Sequence, residues 1–158
     1  MQLMIKQRVF SLSDTYDVYD ENKEIRYYVK GEFLSFGHQI HVFDKRTGEE
    51  VGSIHQKMFN FIPQFEIVIG GRTVGSIRRE CILLHPRYIV DLYGLDILGD
   101  MIEWDYSICR DGNEVMTISK QLFHWGDTYI LDYSDCKDEL PGLLLVIAID
   151  AINSNTKD

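Results

Sequence analysis

The chain has 158 residues, which fits one domain spanning 1–158 and leaves little room for two. Hydrophobic residues make up 45% and charged residues 26%, the balance of a folded globule and not of a disordered chain. The formal net charge is −9, which disfavours broad attraction to nucleic acid or to an anionic membrane.

The first eight residues, Met1 to Arg8, include Lys6 and Arg8 where a signal peptide needs its apolar stretch. The longest apolar run, Leu143 to Ile149, is far short of the ~20 residues of a membrane-spanning helix. Cys81, Cys109 and Cys136 are odd in number and widely spaced, without a C-x-x-C pair, and read as reduced thiols. Together these features point to the cytoplasm and to a chain without a transmembrane segment.

From Ile25 onward the chain repeats itself. Residues 72–91 align without a gap on residues 113–132, so that Val74 matches Val115, Ile77 matches Ile118 and Arg79 matches Lys120. Two weaker copies start at Ile25, with Tyr28 and Phe33 at plus three and plus eight, and at Val51, with Ile54 and Phe59. Such repetition means that one supersecondary unit is used several times. Val, Ile, Thr, Tyr and Phe dominate it, and turn residues such as Gly70-Gly71 and Asp111-Gly112 punctuate it, so the unit is a β-hairpin. Residues three apart point to opposite faces of a regular strand, so the pairs Val51/Ile54 and Val74/Ile77 require a bulge near Gly52 and Gly75 or burial on both faces.

The tail differs in kind. Asp138-Glu139-Leu140-Pro141-Gly142 offers a capping acid and a first-turn proline, and an apolar run continues to Asn153 with Asp150 as its only charge. A helix that is apolar all round must be surrounded, and only strands are available to surround it. The fold class is therefore mainly β: an antiparallel sheet closed into a barrel around a central, hydrophobic C-terminal helix, a closure that also removes free sheet edges.

The hairpin repeats, the closing segment Gly126-Asp127-Thr128-Tyr129 and the run Leu145-Val146-Ile147-Ala148-Ile149-Asp150 together resemble the LURP-one-related family. That family shares the Tubby C-terminal-like fold with tubby proteins and phospholipid scramblases. The resemblance covers essentially the whole chain and implies about twelve antiparallel strands around the helix. Through tubby proteins it also implies phosphoinositide headgroup binding by basic residues on the outer wall, although no local motif here matches theirs.

Charge is uneven along the chain, with a net of +2 over residues 38–88 and −10 over residues 89–158. Lys57, Arg78 and Arg79, with Lys120 added by the repeat, are the candidates for binding an anionic lipid headgroup, since Lys and Arg bind phosphate oxygens by charge-assisted hydrogen bonds. Their recurrence at equivalent positions fits solvated outward strand residues equally. Asp91, Asp96, Asp100, Glu103 and Asp105 lack the spacing of a calcium loop and read as an acidic face. His38 and His41, three apart in a strand, diverge and cannot clasp one metal. Asp150 is the buried structural acid, paired with a strand backbone, a Tyr or an Arg that fixes the rotation of the helix.

No G-x-S-x-G, H-E-x-x-H or phosphate-cradling loop occurs, so neither an enzyme nor a cofactor or metal is expected. The reading is a binding or regulatory module for a protein partner or for itself. Headgroup binding at the periphery of a membrane is the alternative.

Overall fold

The computed structural model describes residues 1–6, 15–34, 37–57, 62, 64–82, 85–123 and 126–154. Among these residues, twelve strands precede the helix: β1 (Gln2–Lys6), β2 (Thr15–Asp20), β3 (Ile25–Leu34), β4 (Gly37–Asp44), β5 (Glu50–Gln56), β6 (Gln64–Ile69), β7 (Arg72–Ile82), β8 (His85–Asp91), β9 (Leu95–Asp100), β10 (Asp105–Arg110), β11 (Asn113–Phe123) and β12 (Gly126–Tyr133). A short 3-10 turn, Cys136–Asp138, leads into α1 (Glu139–Ser154).

All twelve strands belong to one antiparallel sheet in the order β8-β7-β6-β5-β4-β3-β2-β1-β12-β11-β10-β9. The long-range ladder between β1 and β12, from Gln2↔Asp132 to Lys6↔Thr128, joins its two halves. The expected barrel around a helix is present, with one refinement. β8 and β9 are neighbours in the chain but share no ladder, so the wall is nearly closed and retains two sheet edges.

The tight hairpin turns form where positive φ is cheapest. Asp111 and Gly112 have φ of 51° and 76°, and Gly70 and Gly71 have φ of 58° and 74°, the conformation of two-residue hairpin loops.

Bulges resolve the spacing of three. In β5, β7 and β11 one residue is extra to the pairing: Val51 between Glu50↔Phe43 and Gly52↔Val42, Val74 between Thr73↔Val68 and Gly75↔Ile67, and Val115 between Glu114↔Cys109 and Met116↔Ile108. Each bulge turns the following residues so that Ile54, Ile77 and Ile118 reach the core. In β3 the extra residue is Arg26, between Ile25↔Tyr19 and Tyr27↔Val18. The first copy is thus offset by one from the alignment on Ile25, and Val29, not Tyr28, takes the core position. Phe59 lies outside the described residues, as do the side chains of Phe33, Ile82 and Phe123.

The helix fills the axis. Leu143, Leu144, Leu145, Val146, Ile147, Ala148 and Ile149 are each exposed by 3% or less. Burying each large aliphatic side chain contributes about 1.5–3 kcal/mol. The fit is close: an added Cβ on Gly142 would lie 2.4 Å from Met116 Cε, and one on Gly52 would lie 2.8 Å from Leu144 Cδ1. The cap ahead of the helix comes from Asp135, which accepts from the Lys137 N–H, while Asp138 is buried and binds Arg110 at 2.6 Å.

Candidate functional site

Polar groups gather at both ends of the helix. At its start, Glu139 accepts hydrogen bonds from the hydroxyls of Tyr27 and Tyr133 and from Arg26 Nε at 3.1 Å. The bulge at Arg26 brings its guanidinium there, where Nη1 also meets Asp44 Oδ2 at 2.7 Å. Asp44 is buried, which on its own would raise its pKa. Hydrogen bonds from the Thr47 and Arg46 amides and from Arg26 outweigh that and hold the carboxyl below the usual aspartate value. Burial and the adjoining Glu139 push the Tyr27 and Tyr133 hydroxyls well above ordinary tyrosine. This collar locks the helix to the wall, since charged hydrogen bonds of this kind are the strong ones.

At the other end, Asp150 is half-buried. Its charge adds to the desolvation that raises the pKa values of Tyr16 and Tyr106. Trp104 stacks on Tyr129 with ring centroids 3.9 Å apart. Asn153 accepts from the Tyr88 hydroxyl and donates to the Met101 carbonyl at 3.3 Å.

Of the basic candidates, Lys57 and Arg78 share the outer face. The Lys57 amide donates to the Gln64 carbonyl and Gln64 pairs with Arg78, which places them two strand spacings apart, about 10 Å. Each meets an acid: Lys57 Nζ lies 2.7 Å from Glu66, and Arg78 Nη2 lies 3.0 Å from Glu80. Arg79 is the next residue in an unbroken ladder and pairs with buried Tyr88, so it faces the opposite side of the wall. Lys120 holds the corresponding place on β11, opposite buried Tyr129. The four residues therefore do not gather on one face.

Two of the acids have local roles. Asp100 Oδ1 accepts from the Ile102 and Glu103 amides, and Asp96 Oδ1 accepts from the Ile97 amide at 2.8 Å. Among the described residues, no group of three or more His, Cys, Asp or Glu is arranged to hold a metal ion. His41, three residues from His38, instead approaches His55 across the strand pair, with ring centroids 6.0 Å apart, and meets Glu50 at 3.1 Å. The side chains of His85 and Cys81, and residue His124, lie outside the described residues. Cys109 is buried and Cys136 exposed, both as free thiols, and burial raises the Cys109 pKa.

Two surface features went unnoticed in the residue pattern. One is a hollow of about 390 Å³ beside β1–β3, lined by Lys6, Thr15, Tyr16, Asp17, Tyr19 and Tyr28. There the Lys6 ammonium sits 4.7 Å from the Tyr19 ring centroid. The other is β9 with its flanking turns, where Tyr93, Leu98 and Ile102 are 52%, 57% and 55% exposed. Asp96, Leu98 and Asp100, at alternate positions of one strand, are the signal that marks it.

A mainly β barrel wrapped on a buried C-terminal helix, with its polar groups at the ends of the helix and on the outer wall, defines a Tubby-like binding domain. The chain belongs to the LURP-one-related family, whose sequence profile matches residues 1–150. It is similar to the uncharacterized protein YxjI of Bacillus subtilis (strain 168), with 29% identity over 158 residues, covering 100% of this chain and 97% of the relative. An X-ray structure of an Arabidopsis thaliana protein shares the fold, with a TM-score of 0.64 at 13% identity, over 96% of this chain and 90% of that one. Among the described residues, no helix is long and apolar enough to cross a membrane.

Proposed function

We propose that this chain is a non-enzymatic binding module that engages another protein through its outer wall. The observation that carries the reading is the filled interior: the helix side chains from Leu143 to Ile149 occupy the barrel axis, which leaves the outside for recognition. The net charge of −9 favours a protein partner over an anionic headgroup.

The test is retention of proteins from a cytosolic extract on the immobilised full chain, alongside flotation with vesicles that contain or lack anionic lipid. The expected result is saturable retention of a discrete set of proteins, without flotation. Salt-sensitive flotation with anionic vesicles alone would establish the headgroup reading instead. Light scattering on the same preparation separates self-association from binding of a different protein.

A further inference from the structure

We propose that the free edge of β9 is a docking strand for an extended, basic segment of another protein, which adds to the sheet beside β9. This rests on the protein-binding reading above and gives it a place and a chemistry.

β9 ends the sheet, and no described strand pairs with it on the side away from β10. An unpaired edge is a template for strand addition unless something blunts it. On β9 itself Asp96, Leu98 and Asp100 are exposed at alternate positions, with Tyr93 in the turn before the strand and Ile102 in the turn after it. Tyr93, Leu98 and Ile102 are each more than half exposed. Asp96, Leu98 and Asp100 are two residues apart and share one face.

A complementary strand therefore carries a cation, an apolar residue and a second cation at alternate positions. Opposite charges and apolar groups then meet across the new pair, each contact adding to the ladder hydrogen bonds.

The charges also select against other occupants. Two copies of this chain paired through β9 would set Asp96 and Asp100 among their own kind, and like charges directly opposite destabilise a strand pair. Asp96 further blunts the edge in the free chain, because its carboxylate occupies the Ile97 amide. A neutral strand must displace that carboxylate without recompense. A lysine or arginine opposite Asp96 draws it outward and frees the amide for the ladder. The acid that guards the edge is thus released by the class of partner it attracts.

The test is fluorescence polarisation of the full chain with a short labelled peptide that has lysine, valine and lysine at alternate positions and threonine between them. Expected is saturable binding that weakens about tenfold or more in each of three arms, a loss of at least about 1.4 kcal/mol. Those arms are exchange of both lysines for glutamate, N-methylation of the amides that face the edge, and Leu98→Lys in the chain. Leu98 is exposed, so the variant should keep the parent melting temperature, which the same preparation checks. Absence of binding overturns the proposal, as does binding indifferent to N-methylation or to Leu98→Lys. If the peptide fails while the extract proteins are still retained by both parent and Leu98→Lys, the edge is wrong and the protein-binding reading stands. If no protein is retained in the extract assay, that broader reading falls by itself.

Discussion

The hydroxyl of Tyr88 donates to Asn153, tying β8 to the last turn of α1. Because the Asn153 amide also donates to the Met101 carbonyl, beyond the end of β9, one side chain spans the two sheet edges that no ladder joins. Asn153→Ala should cost about 1–3 kcal/mol, since it removes the acceptor of a part-buried hydrogen bond from the Tyr88 hydroxyl. Denaturant unfolding reads the loss, and hydrogen exchange should localise the added opening to β8 and β9. Opening spread evenly over the barrel would show that Asn153 is not the clasp.

The Asp44 carboxyl makes stability pH-dependent. Its folded pKa lies below the unfolded one, so its contribution is full above the ordinary aspartate value and fades as pH falls through the folded value. Asp44→Asn should cost about 1–3 kcal/mol at pH 7 and markedly less at pH 3. Urea midpoints at the two pH values check this, and a constant difference would count against it.

Tyr16, Tyr27, Tyr106 and Tyr133 have raised pKa values, chiefly through burial. Their protonated form is favoured by the fold, so stability is retained below about pH 10 and lost as pH rises beyond it. Absorbance at 295 nm should show these four titrating only with unfolding, in one cooperative step. Gradual, reversible ionisation of all four in the folded chain would contradict the assignment.

Gly75→Ala should be far more damaging than Gly52→Ala. The new Cβ on Gly75 would lie 2.0 Å from the Asp91 carbonyl oxygen, a backbone atom with nowhere to go. On Gly52 the nearest atom is a methyl of Leu144, which can rotate. We expect a loss of about 3 kcal/mol or more for the first and about 1–2 kcal/mol for the second, measured by thermal denaturation.

The barrel and its helix were legible because periodicity and burial leave a plain mark: Leu143 to Ile149 have no polar face to offer water. The bulges were half legible. Three valines announced the spacing of three, but at the first copy Arg26 fills that place, and similarity at Ile25 drew the frame one residue too early. Arg78 and Arg79 look alike in the chain, and only the ladder tells that one faces Gln64 on the outer wall and the other Tyr88. The missing pairing between β8 and β9 left no trace, because whether two good strands meet depends on the curvature of the whole sheet. Asp150 stood out by composition, whereas its relation to Tyr16 and Tyr106 required the fold.

The ladder from Gln2↔Asp132 to Lys6↔Thr128 has a consequence for biosynthesis. On a ribosome the first strand emerges long before the twelfth, and α1, which fills the axis, follows both. Until α1 emerges, the apolar residues that line the axis have no helix to pack on. Loop-closure entropy makes such distant pairing slow. For this molecule, the interval between the first strand and the last helix is when chaperones matter most.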